Sequence, residues 1–186
     1  MKIAMTMIAL AVLGTAGGRA DESRLRIYTD AEGIIPGFTF YPAKDRAAKM
    51  LATAGVPVEW RSGRPSPDQL RREGAISIHV ISRSPETVSP GALAFALPFE
   101  RTQITLMYDR LVTMAEPVLR PALLAHVMVH EIAHILEGVD SHADRGIMRA
   151  HWTKWDLACM MLKPLPFTDH DIEMMQDGFT GRFDRK

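Results

Sequence analysis

The chain has 186 residues, enough for one domain with a substantial core and hardly enough for two. Hydrophobic residues make up 47% and charged residues 24%, ordinary values for a globular protein. The formal net charge is zero, which points away from a nucleic-acid footprint or a patch for acidic membranes.

The first twenty residues read as a secretory signal: Lys2 is a minimal basic region, Ile3 to Leu13 an apolar run, and small residues follow from Gly14 to Gly18. Cleavage is expected after Ala20, with Ala16 as the rival position. An eleven-residue apolar run is too short to span a bilayer, so no stable membrane span is expected. Removing Lys2 and Arg19 leaves 20 basic against 22 acidic side chains, a slightly acidic single domain over 21–186. Cys159 is the only cysteine, so neither an internal disulfide nor a multi-cysteine zinc site can form. Among Leu157, Ala158, Met160 and Met161 it reads as a small core residue. Export without disulfides suits a periplasmic or an extracellular protein equally.

Leu25 to Thr29 alternates as a first strand. After a Gly/Pro-containing loop, Ala43 to Ala54 carries apolar residues at helical spacing and stops at Gly55. Val56 to Trp60 reads as a second strand, with Pro57 suiting its start or an edge. Pro65 to Glu73 is loop-like or briefly helical, and the basic residues from Arg61 to Arg72 read as solvated. Ile76 to Ile81 is a third strand. Ser84 to Pro90 is turn-rich, Ala92 to Phe99 an edge strand, and Gln103 to Tyr108 a further strand with Ile104, Leu106 and Tyr108 on one face. The order β-α-β-β-β-β before the main helix predicts an α+β or α/β layer architecture.

The main helix is expected from Pro121 to Glu137, with Gly138 in the left-handed position at its end. Leu123, Leu124, Val127, Met128, Val129, Ile132, Ile135 and Leu136 make it apolar nearly all round, the mark of a buried central helix. His130, Glu131 and His134 are embedded in it, and burying them demands a partner. They form an HExxH motif. Two histidines one turn apart project from nearly the same face and can reach one metal ion. The glutamate then lies beside any water on that metal, placed to act as general base. After Gly138 a polar loop leads to Met148, then a Trp-containing helix to about Leu162 and a last helix, Asp169 to Asp177, capped by Thr168.

A catalytic zinc commonly takes three protein ligands, so a third must come from beyond the helix. The text Gly138-Val139-Asp140-Ser141-His142, then Gly146-Ile147-Met148, resembles the metzincin metallopeptidases, in which a glycine breaks the helix, a third histidine follows and a methionine turn floors the site. The spacing HExxHxxxGxxxH, the Gly-Ile-Met turn with a following Trp, Tyr108-Asp109-Arg110 and Ala96-Leu97-Pro98-Phe99 are similar to a family of uncharacterised bacterial exported proteins of metzincin type. The resemblance covers roughly Leu25 to Trp152, and its specific part Ala96 to Trp152. It implies a metzincin-like fold: a mixed sheet of four to five strands packed on the active-site helix, with a smaller C-terminal helical part. It also implies one catalytic zinc ion.

The chain departs from the metzincin pattern in its spacing. Gly138 stands four residues after His134 where metzincins have three, Asp140 six after it, and His142 eight after it. His142 is the leading third ligand, Asp140 the alternative, and a distant glutamate a further one. Glu137 reads as a neighbour of the site or a surface residue. His126, one turn before His130, reads as a satisfied histidine rather than a fourth ligand. Met148 fits the methionine turn, or simply the core. His151 and Arg149 are candidates to stabilise a developing oxyanion, but Ala150 stands where metzincins carry a tyrosine two residues after the methionine, which counts against a role borrowed from that family. His79 and His170 carry no site signal. The leading expectation is an exported zinc metallopeptidase acting on a peptide or protein, with Glu131 as general base. The alternatives are a zinc-bound binding module without turnover and a non-peptide zinc amidase.

Overall fold

The computed structural model describes residues 24–97 and 100–183. The expected signal segment and the Pro98-Phe99 pair lie outside these residues. The element order is β1 (Leu25–Thr29), α1 (Gly37–Thr53), β2 (Val58–Ser62), α2 (Pro67–Glu73), β3 (Ile76–Ile81), β4 (Ala94–Ala96), β5 (Gln103–Met107), α3 (Tyr108–Met114), α4 (Arg120–Glu137), α5 (Lys154–Leu162) and α6 (Asp169–Phe183). The five strands form one mixed sheet in the order β2-β1-β3-β5-β4. Neighbours are parallel except β4, which runs antiparallel to β5 at the edge, with Phe95 opposite Thr105. The expected α+β architecture with a mixed sheet on a central helix is therefore the observed one.

Alternation along the strands divides the sheet into two faces. Ile27, Ile76, Ile78, Val80, Ile104 and Leu106 point into the main core, where α1 packs along α4. On the other face Tyr28, Leu70 and Ala75 form a small cluster beneath α2. At the far side α6 closes on α4 at Gly178, where an added Cβ would come within 1.8 Å of the Leu136 carbonyl oxygen. Only glycine lets the two helices approach that closely.

Several boundaries differ from expectation, each for a local reason. α1 starts at Gly37 rather than Ala43, because Thr39 and Phe40 extend its buried stripe by a turn and bond back to the Pro36 carbonyl at 2.9 and 3.0 Å. Pro42 lies inside it. The carbonyl left without a partner by that proline is on Phe38, whose side chain is exposed. β2 begins at Val58 rather than Val56, since Pro57 offers only its carbonyl, which accepts from Leu25 N–H at 2.9 Å. Pro67–Glu73 is a true helix, capped by the Ser66 side chain on Gln69 N–H at 3.2 Å. Within the described part of the expected edge strand Ala92–Phe99, the strand spans Ala94–Ala96.

One helix was not expected. Tyr108 does not end the last strand but opens α3, in which Tyr108, Leu111 and the following Ala115 share one buried face at helical spacing. α6 continues six residues beyond the expected Asp177, to Phe183. Its start is as expected: Thr168 Oγ1 accepts from Asp171 N–H at 3.2 Å while Asp171 accepts from Thr168 N–H at 2.7 Å.

Candidate metal centre

Every residue of α4 from Ala122 to Leu136 is buried. Its aliphatic side chains contribute about 1.5–3 kcal/mol each, before the entropy of ordering them is counted. That surplus makes it possible to hold His130, His134 and the Glu131 carboxyl, along with His126, inside the same helix. Gly138 stops the helix with φ 70°, and its N–H bonds to the His134 carbonyl at 2.9 Å.

The two imidazoles are oriented from outside the helix. His130 Nδ1 donates to the Ile147 carbonyl at 2.9 Å, and His134 Nδ1 donates to the Val139 carbonyl at 3.2 Å. A carbonyl can only accept, so each ring carries its proton on Nδ1 and presents a bare Nε2 lone pair. These two Nε2 atoms lie 3.0 Å apart. Two lone pairs at that distance repel unless a cation sits between them. Two nitrogens on a tetrahedral zinc stand about 3.3 Å apart, close to this separation. Burial, and behind it the two neighbouring histidines, pushes the His130 ring down to about 4, so an extra proton is a poor candidate for that cation.

His142 completes the set. Its ring lies 5.4 Å from that of His130 and 4.8 Å from that of His134, centroid to centroid, and a nitrogen from each of the three lies within 4.8 Å of the others. His130 and His134 are buried and His142 is exposed. Asp140 lines the same cleft, but it is not in the convergent group.

The loop that brings His142 back is closed by backbone bonds: Ala143 N–H to the Met148 carbonyl at 2.8 Å and Ile147 N–H to the Pro166 carbonyl at 2.9 Å. Gly146 sits between them at φ 78°, and a Cβ there would meet the Pro166 oxygen at 2.2 Å. The Ile147 carbonyl serves twice, accepting from His130 and from Trp152 Nε1 at 3.2 Å. Trp152 also stands edge-on to His130, 5.5 Å away. Met148 is fully buried in the core beneath this loop.

Glu131 lies on the cleft side of α4, nine-tenths buried. Burial lifts its carboxyl to about 8, Asp140 adds to the lift, and a hydrogen bond from the Ala96 backbone opposes it. A divalent charge at the three imidazoles acts in the opposite direction, toward the carboxylate. The cleft itself measures about 810 Å³ and lies between β4 and α4. Arg149 and His151 stand on its wall with Ala150 between them. The Arg149 guanidinium is committed to Asp156 at 2.8 Å, which also serves the Thr153 cap of α5. His151 is exposed.

His126 does not join the cluster. Its Nδ1 donates to the Ala122 carbonyl at 2.7 Å and its Nε2 accepts from Leu165 N–H at 3.0 Å, so a neutral ring is satisfied on both sides. Burial holds it neutral, down at about 4. Glu137 faces away from the cleft, into a smaller hollow of about 130 Å³ shared with His142, His170 and Asp171. Burial and the nearby Asp171 raise it to about 7. His79, which showed no signal in the sequence, pairs with Asp30 at 2.6 Å on the sheet face opposite α4.

At the level of sequence no family model and no curated protein matches the chain. At the level of structure it is similar to archaemetzincin from Methanopyrus kandleri, with a TM-score of 0.59 at 15% identity over 87% of this chain and 98% of the other. It is also similar to a zinc-dependent peptidase from Methanocorpusculum labreanum, with a TM-score of 0.57 at 14% identity over 81% of this chain and 99% of the other. At such identities the likeness is one of fold alone.

Proposed function

We propose that this protein is an exported zinc-dependent peptidase, with the metal held by His130, His134 and His142 and with Glu131 as the general base. The observation that carries the reading is the pair of bare Nε2 atoms 3.0 Å apart, each ring locked in that tautomer by a backbone carbonyl. Carbonyl-oriented imidazoles of this kind are the usual outer support of a metal ligand. The donor set fits zinc, which takes three nitrogen ligands readily and leaves a fourth position open.

Bound there, zinc supplies acidity to a water and polarises the scissile carbonyl. The chain's own part begins with the Glu131 carboxylate, which accepts a proton from the attacking water and returns it to the leaving amine nitrogen. The Ala96 backbone nearby favours the charged form of that carboxylate. β4 offers an extended peptide an edge beside the site that no described strand pairs with. Residues 93, 95 and 97 bond to β5, so Ala94 and Ala96 turn their backbone groups the other way. The signal-like residues 1–20 support export, and mass spectrometry of the mature N-terminus checks the cleavage after Ala20.

Ala150 on the cleft wall favours a second reading, a zinc-bound module that does not turn over, because no hydroxyl stands where metzincins carry their tyrosine. One experiment separates the two. Glu131→Gln is expected to keep stoichiometric zinc and to lose about 10²–10⁴-fold in hydrolysis of a proteome-derived peptide library. Hydrolysis by the wild type that survives in this variant would refute the proposed base; zinc without hydrolysis in the wild type selects the binding module.

A further inference from the structure

Between β3 and β4 the chain has no regular structure of its own, only turns over Ser84 to Leu93. Such a stretch depends on side chains elsewhere to engage its backbone groups. Two consecutive residues at the start of α3 do so. Asp109 accepts from Ser84 N–H at 2.9 Å and from Ser84 Oγ at 2.7 Å, holding the near end. Arg110 holds the rest: its Nη1 donates to the Ser89 and Ala92 carbonyls, the latter at 2.9 Å. Its Nη2 donates to the Val88 carbonyl at 3.1 Å and reaches the Pro85 carbonyl at 3.4 Å. One guanidinium thus gathers four carbonyls over eight residues of loop.

That loop ends in the wall of the cleft. Ser89, Gly91, Ala92 and Leu93 line it, and Leu93 runs directly into β4. β4 is three residues long and, among the described residues, paired on one side only. β5 and α4 hold one side of so short a strand, and the direction of its outer edge depends also on how the chain enters it. The outward backbone groups of Ala94 and Ala96 therefore take part of their placement from the loop.

We propose that Arg110, assisted by Asp109, is a positioning residue for substrate: it fixes the 84–92 loop so that the free edge of β4 is presented to an extended peptide beside the three histidines. The inference rests on the peptidase reading above. The planar fork is essential to it, because four carbonyls spread around one group match guanidinium geometry and not an ammonium.

The test compares two zinc-directed ligands on the zinc-loaded protein, acetohydroxamate alone and a hydroxamate carrying a Leu-Phe amide arm. Neither needs turnover. The wild type is expected to bind the peptidyl compound more tightly. Arg110→Ala and Arg110→Lys are both expected to lose about tenfold of that affinity, because an unfixed strand must be ordered on binding. Their affinity for acetohydroxamate is expected to stay within about twofold of wild type. Peptidyl affinity that survives in both variants, is restored by lysine, or falls in parallel with acetohydroxamate overturns the proposal. A wild type that binds acetohydroxamate with no gain from the peptidyl arm overturns it as well. A wild type that binds neither compound overturns the metal reading beneath it.

Discussion

The two halves of the candidate metal centre are built differently. His130 and His134 stand on α4, a helix buried along fifteen consecutive residues from Ala122 to Leu136 and packed by α1, α6 and the sheet. His142 stands on a polar loop, exposed, and returns to the site through a few backbone bonds around Ala143, Gly146 and Met148. The helical half is positioned by the core and the loop half by local geometry. A ligand on a preorganised helix loses little entropy when it binds, whereas one on a loop must be held at the moment of binding.

The largest effect expected from this contrast is on metal affinity. His130→Ala or His134→Ala should each weaken zinc binding at least about a hundredfold, more than the loss of an outer-shell partner usually costs. His142→Ala should weaken it less, leaving binding measurable by competition with a chelating dye, and Asp140→Ala should leave it near wild type. Equal losses at His134 and Asp140 would reverse the assignment of the third ligand.

Next in size is the loop's own fold. Gly146→Ala puts a Cβ at 2.2 Å from the Pro166 oxygen in a left-handed conformation, so a cost of about 2–4 kcal/mol is expected in chemical denaturation. The loop bonds should loosen with it, and zinc affinity should fall although no ligand is changed. Unchanged zinc affinity would mean that His142 is held by something other than this loop.

The smallest effect concerns the tie between α4 and the segment before α6. His126 is neutral when folded, at about 4, against 6.5 in an unfolded chain. Between those values the unfolded chain takes up a proton that the folded chain resists, so stability rises with pH across the window and is lost as pH falls. His126→Leu leaves the half-buried Leu165 N–H without its acceptor and should cost about 1 kcal/mol at pH 7. In the zinc-free protein the gap in melting temperature between wild type and variant should close as pH falls from 7 to 4.5. A gap that does not change with pH would show that His126 is not the titrating tie.

Much of this fold was legible in the residues. The strands at Leu25–Thr29 and Ile76–Ile81 alternate clearly, and the α4 pattern is apolar on every face, so periodicity was sufficient. α3 was missed because Tyr108 continues the alternation of Ile104 and Leu106, and only the packing of Leu111 and Ala115 shows that the chain has turned helical. The start of α1 was missed because Gly37 and Pro42 read as loop, while burial of Thr39 and Phe40 outweighs the helix propensity lost there. For the site, HExxH marked the helical half at once. The roles of Asp109 and Arg110 left only a resemblance in the sequence, since the four carbonyls that Arg110 gathers carry no side-chain signature.

By itself the sequence determined the buried helix, its two histidines and glutamate on one face, and the glycine that ends it, because these follow from spacing within one element. Which residue returns to meet them was decided by tertiary structure. His142 and Asp140 are two residues apart on an exposed loop, and no periodicity separates them. The bonds from Ala143 to Met148 and from Ile147 to Pro166 set the path that brings the His142 ring beside His130 and His134. The same is true of the tautomers: carbonyls at Val139 and Ile147, five and seventeen residues along the chain from the rings they orient, leave both Nε2 atoms free to face one point.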